Sequence, residues 1–196
     1  MLGELPTTKP RRPRADAARN RERVLEAAKI VLGTGGPDAS LEAVAREAGV
    51  GIGTLYRHFP TREALFEAVY RREVEQLVEL AGQLASDPAP VAALRRWLRA
   101  SVEFVATKKG MVAALAIVAN GSTELAVYSS ERLTDAVGSL MDRGIIAGEL
   151  RADVSPGDVL RMLIALCYGS DAAGWQENVL RLLDVFVDGL CESPVR

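Results

Sequence analysis

The chain has a single histidine, two cysteines and few aromatics, 5% of its residues. A His–Cys or His–Ser pair for nucleophilic catalysis could draw only on His58, which falls within the short Ile52–Phe59 segment, and with one histidine there is no HExxH metal motif. The glycine cluster Gly33-Thr34-Gly35-Gly36 follows a predicted helix instead of a strand, so it is no phosphate loop. No catalytic set, metal site or cofactor is expected. Cys167 lies on an apolar helical stripe and Cys191 near the last residues, a pattern that predicts no structural disulfide and makes the cytosol the natural compartment. The longest apolar run, Met111–Ala119, is far shorter than the roughly 20 residues a membrane span needs. Basic residues near the N-terminus are followed by no hydrophobic signal core. The Gly144–Gly148 GxxxG therefore reads as a loop or packing feature. A soluble, cytoplasmic protein with no membrane partner is the expectation.

What is abundant points to helix. Of 196 residues 48% are apolar, chiefly Ala, Leu and Val, with many Arg and Glu, and no segment alternates with a strand's period of two. An all-α fold is predicted, long enough to bury roughly 70% of the surface of the unfolded chain. Net charge is −2, which by itself argues against a polyanionic partner. Its distribution argues the other way: residues 1–72 carry 13 Lys/Arg against 9 Asp/Glu, and the remainder 11 against 17. A basic N-terminal third on an acidic body places positive potential where DNA would dock.

Residues 1–14 combine Pro and Thr with Lys9, Arg11, Arg12 and Arg14, a composition that predicts a disordered basic arm. Nine helices are expected after it. The first spans about Asp16–Leu32. The second follows the N-cap Ser40, the third is Ile52–Phe59, and the fourth runs from the cap Thr61 to about Ser86. Pro88 and Pro90 precede a fifth over Val91–Ala106, with Lys108-Lys109 complementing its C-terminal dipole. A sixth is expected at Met111–Ala119 and a seventh at Glu124–Ala147. Ser155-Pro156-Gly157-Asp158 reads as a capping box that opens the eighth, and the ninth follows Gly174.

The most specific segment is Ser40–Leu65, SLEAVAREAGVGIGTLYRHFPTREAL. Leu41, Val44, Ala45 and Ala48 fall at i, i+3, i+4 and i+7, and Gly49 follows where a helix end takes positive φ. Two short helices crossing over such a turn make a helix-turn-helix, whose second helix fits the DNA major groove. Sequence-specific binding of double-stranded DNA is the leading expectation. Within it, Thr54, Tyr56 and His58 can donate to phosphates, Arg57 can reach a guanine edge or a phosphate, and Ile52 can touch a thymine methyl. Tyr56 and His58 also fit plain packing, and Ser40 can cap its helix while donating to a phosphate. Leu55 and Phe59 read as core.

GVGIGTLYRHFPTREAL resembles the GVSxGTLYxHFxSKExL pattern at the N-terminus of TetR-type bacterial repressors. The resemblance implies an all-helical homodimer with a small DNA-binding domain (residues 15–60) and a larger ligand-binding and dimerisation domain (residues 61–196). It further implies that Gly51, Ile52, Gly53, Thr54, Tyr56, Arg57 and His58 face DNA and that Arg62 stands at a phosphate-contacting position usually held by Lys. Gly51 replaces the usual Ser or Thr cap, and Ile52 a longer polar residue. Direct base readout therefore looks thin, and specificity would lean on DNA shape and on Arg11, Arg12 and Arg14 in the minor groove.

An effector pocket is expected among the fourth to seventh helices. Trp97, Phe104, Met111, Leu115, Val118 and Tyr128 are candidate lining residues, with Asn120 or Ser122 as polar anchors, although each of the six also fits plain core. Such a lining predicts an apolar or amphipathic small molecule. Leu160, Leu163, Ile164 and Cys167 on the eighth helix and Val179, Leu182, Leu183 and Phe186 on the ninth form wide apolar faces. These pack inward or also meet a second copy as a four-helix bundle. The functional expectation is a ligand-released repressor on a palindromic operator. A DNA-binding regulator without a small-molecule effector, governed by abundance or a protein partner, and a helical interaction module remain as alternatives.

Overall fold

The computed structural model describes residues 13–33, 39–115, 123–169 and 172–192, with side chains of 13–15, 113–115 and 123 left undescribed. Eight helices occur among them: α1 (Pro13–Gly33), α2 (Leu41–Glu47), α3 (Ile52–His58), α4 (Arg62–Leu84), α5 (Pro90–Leu115), α6 (Thr123–Ile146), α7 (Pro156–Tyr168) and α8 (Trp175–Leu190). The fold is all-α, and no strand forms among these residues.

Helices α1–α3 make a small unit around Val24, Leu25, Ala28, Val44, Ala45, Leu55 and Phe59, all buried. Ser40 Oγ accepts the Ala43 N–H at 3.1 Å and starts α2. Gly49 turns the chain toward α3 at φ +62°, a left-handed conformation that glycine takes at no steric cost. Arg23 Nη2 donates to the Gly49 carbonyl at 3.4 Å, and a Cβ at Gly49 would lie 2.5 Å from that same nitrogen. The conformation holds this position to glycine, since the flexible Arg23 guanidinium could swing aside for a Cβ. Thr61 Oγ1 accepts from Ala64 N at 3.1 Å and opens α4.

Helix α4 joins this unit to the rest. Its apolar face (Leu65, Val69, Val74, Leu77, Ala81) packs against α1, α5 and α6. Ion pairs tie α1 to α4: Lys29 Nζ lies 2.7 Å from the buried Glu73, and Arg72 reaches Glu26 at 2.7 Å and Glu22 at 3.3 Å. At its far end Arg143 of α6 donates to the Leu84 carbonyl at 3.0 Å and to the Asp87 carbonyl at 2.5 Å, tying α6 to the end of α4 and the turn after it.

The break expected between Ala106 and Met111 does not form. α5 continues from Pro90 to Leu115, so the predicted fifth helix and the described part of the sixth are one helix, and eight helices stand among the described residues where nine are expected. A mid-helix glycine costs about 1 kcal/mol relative to alanine, and Gly110 has a packing reason to be there. The backbone of Gly33 lies against it so closely that a Cβ would fall 1.8 Å from the Gly33 carbonyl oxygen. The α1 end and α5 touch backbone to backbone. Lys109, inside the helix, donates to the Cys167 carbonyl at 3.1 Å and stands 4.4 Å from the Trp175 ring centroid. It fastens α5 to the end of α7 and the start of α8.

The capping box forms as the sequence predicts. Asp158 N donates to Ser155 Oγ at 3.2 Å and Ser155 N to Asp158 Oδ2 at 3.2 Å. The Ser155 hydroxyl and then the Arg161 guanidinium hold the Asp158 carboxyl down at about 2. Asp184 of α8 receives Arg95 at 2.9 Å and Arg99 at 2.5 Å from α5. A single bridge between Leu150 and Cys191 closes the α6–α7 loop onto the end of α8. Gly144 leaves room for Leu150, whose Cδ1 would otherwise meet a Cβ at 2.4 Å. Cys167 and Cys191 are free thiols, and no described helix is long and apolar enough to cross a membrane.

Candidate nucleic-acid interface and internal cavity

Leu55 and Phe59 anchor α3 in the core, which turns the rest of the helix outward. Gly51, Gly53 and Arg57 are exposed, Ile52 is 38% and Tyr56 44% exposed, and Thr54 and His58 are half-buried. A Cβ at Gly51 or Gly53 would meet nothing within 4 Å, so the backbone itself presents an open surface there. Arg57 makes no ion pair among the described residues. Ser40 is occupied as a cap and half-buried, and Arg62 is exposed in the first turn of α4. α1 begins at Pro13, which puts Arg14 on the helix instead of the arm; Arg11 and Arg12 lie outside the described residues.

Behind this surface, α4–α7 line a pocket of about 330 Å³ that opens to solvent on the side of Ile164 and Tyr168, both about half exposed. One wall is a stripe of α5 at helical spacing: Trp97, Ser101, Phe104, Val105 and Lys108. Tyr70 of α4 forms another, and α6 supplies Ala126, Ser129, Ser130, Leu133 and Thr134. α7 closes the space with Gly157, Leu160, Arg161, Leu163, Ile164 and Tyr168. Trp97 is fully buried, and its indole N–H donates to the Leu77 carbonyl at 2.8 Å. Ser101 Oγ donates to the Trp97 carbonyl at 3.0 Å. The Tyr70 hydroxyl donates to Ser129 Oγ at 3.0 Å, and burial raises its pKa above the ordinary phenol value. Its ring lies 5.2 Å from that of Phe104 and 5.8 Å from that of Phe66.

Of the six predicted lining residues, Trp97 and Phe104 line the cavity. Met111 is buried beside a much smaller adjoining space shared with Tyr70, Glu73 and Lys108. Tyr128 faces α4 instead, donating to Glu75, whose carboxylate Arg132 also holds. Leu115 ends α5 with an undescribed side chain, and Val118, Asn120 and Ser122 lie outside the described residues. Tyr70, Ser101, Lys108, the α6 hydroxyls and Arg161 are lining residues beyond the six expected. The available signal was polar Ser101 and Lys108 recurring on the apolar stripe of α5.

The predicted dimerisation residues divide. Leu163, Cys167, Val179 and Leu183 are buried in this chain's own core, and Leu160 and Phe186 are half-buried. Ile164 at 52% and Leu182 at 53% are exposed, as is Val185 at 69%.

An exposed recognition helix and a ligand-sized cavity on one α4 scaffold describe a helix-turn-helix regulator. Residues 24–69 match the bacterial regulatory proteins of the tetR family. Residues 89–192 match the C-terminal domain of SbtR-like transcriptional regulators. A TetR transcriptional regulator of Streptomyces coelicolor is similar in structure, with TM-score 0.77 and 40% identity over 88% of this chain and 99% of that one. A TetR transcription regulatory protein of Mycobacterium vanbaalenii gives TM-score 0.70 and 34% identity over 91% and 99%. An HTH-type transcriptional regulator of Staphylococcus aureus is 36% identical over 75 residues, and the match spans 38% of this chain and 40% of that relative. The chain belongs to the TetR family of bacterial transcriptional regulators. Members of that family are non-enzymatic DNA-binding transcription factors.

Proposed function

We propose that this protein is a repressor that binds a palindromic operator as a homodimer and leaves it when a small molecule fills the cavity. The observation that carries the reading is α4 itself. Its first turn, with Thr61 and Arg62, adjoins α3, and Tyr70, two turns on, is a wall of the cavity. The helix is 23 residues long, about 34 Å, and the ion pairs of Lys29, Arg72 and Glu73 make α1 follow it. A ligand that displaces Tyr70 therefore moves the DNA-binding unit. Release requires that the ligand bind the off-DNA arrangement more tightly than the on-DNA one.

Dimerisation is assigned to α7 and α8, whose Ile164, Leu182 and Val185 are apolar and exposed on the single chain. Two-fold symmetry then spaces the recognition helices about 34–36 Å apart, one turn of DNA. The double variant Leu182→Glu, Val185→Glu would place two carboxylates in an apolar interface without partners. Light scattering is expected to give half the wild-type mass, and operator affinity to fall at least 100-fold with the helical content of the chain unchanged. An unaltered mass would remove these helices from the interface.

A further inference from the structure

Resting on the effector reading above, we propose that the cavity takes a small amphipathic monoanion, its carboxylate against Lys108 and its hydrocarbon body among Trp97, Phe104 and Leu163. Among the described residues, two of the lining side chains are cationic, Lys108 and Arg161, and none is acidic, in a chain with 26 Asp and Glu. The two cations are not equivalent. Arg161 shares its charge with Asp158 at 2.5 Å. Lys108 is half-buried, and among the described residues it makes no ion pair; its ammonium faces only the Tyr70 ring, 5.4 Å from the centroid. Glu73, in the small adjoining space, is paired with Lys29 at 2.7 Å. Desolvation alone pushes the Lys108 pKa down, the mark of a charge that lacks a counter-ion.

Two of the lining serines have their protons engaged, and the hydroxyls of Ser130 and Thr134 are neutral, so the charge of the lining rests with its cations. Ser101 donates to Trp97 and Ser129 to the Ala126 carbonyl at 3.1 Å. One uncompensated ammonium in a largely apolar space matches one negative charge, while a dianion would leave a surplus charge desolvated. At roughly 30 Å³ per water-sized group, 330 Å³ holds about eleven such groups, the scale of a medium-chain or bicyclic aromatic acid. This chemistry narrows the apolar or amphipathic small molecule that the sequence suggests to an amphipathic anion.

The test uses matched probes on the full chain, measured by titration calorimetry. The acids are octanoate and 2-naphthylacetate; the corresponding alcohols and primary amines carry the same hydrocarbon bodies. The acids are expected to bind at least tenfold more tightly than their neutral and cationic counterparts. Lys108→Gln should abolish that preference while leaving alcohol affinity within about twofold, and Lys108→Arg should restore it. Alcohols or amines binding as tightly as the acids, or an acid preference surviving in Lys108→Gln, would overturn the anion assignment and leave the effector site standing. If no probe of any class binds the wild-type protein, the effector reading itself fails and takes this inference with it.

Discussion

Trp97→Ala is expected to lower the free energy of unfolding by about 3–5 kcal/mol, the usual cost of emptying a buried tryptophan site. Trp97 is fully buried where α4 and α5 meet, and its indole N–H satisfies the Leu77 carbonyl at 2.8 Å. Alanine removes the ring and leaves that acceptor without its donor. Because the site already borders a cavity, the neighbouring side chains have little reason to collapse into the vacated volume, and the upper part of the range applies. For a chain of this size the shift corresponds to roughly 6–20 °C in melting temperature. Trp97→Phe keeps most of the apolar contact and loses chiefly the hydrogen bond, so it should cost about 1–3 kcal/mol. Thermal denaturation of both variants checks the order. Equal melting temperatures for Trp97→Ala and wild type would mean that the α4–α5 seam does not depend on this residue.

The second large effect falls on DNA. Arg57→Ala should cost about 1–3 kcal/mol at each half-site of the operator, hence about 2–6 kcal/mol over two, if its guanidinium reads a base edge. Arg57 is exposed and makes no ion pair among the described residues, so reaching DNA breaks no internal contact. It is also the only side chain of α3 with a forked donor; Ile52 is apolar, and Thr54, Tyr56 and His58 offer single donors. The expected result is a large loss on the cognate duplex, about 30-fold or more, and a much smaller one on unrelated DNA. A uniform loss on both, with a shallower dependence on salt, would reassign Arg57 to a phosphate.

The DNA-binding unit was legible in the sequence because its determinants are local. Ser40, Gly49 and Thr61 act within a few residues of themselves, as caps and as a turn, and the structure places each in that role. Likewise the apolar spacing of α3 alone separates Leu55 and Phe59 from the outward face. α5 was misread because its continuity depends on a distant partner. Lys108-Lys109-Gly110 looks like a helix end until the Gly33 backbone is seen against Gly110 and the Cys167 carbonyl beside Lys109. The cavity was half legible for the same reason. Trp97 and Phe104 stand out as aromatics, whereas Lys108 becomes a lining residue only when Tyr70 and α7 enclose it. On α7, periodicity marks an apolar helix but cannot divide its faces: Leu163 and Cys167 turn inward while Ile164, next along the chain from Leu163, stays exposed.

The most direct test is selection of bound duplexes from a random DNA pool with the purified protein at moderate salt. Two copies of α3 related by two-fold symmetry predict an inverted repeat with half-site centres one helical turn apart. Enrichment of a single unrepeated site, or of nothing above background with protein free of ligand, would contradict a dimeric regulator that reads sequence.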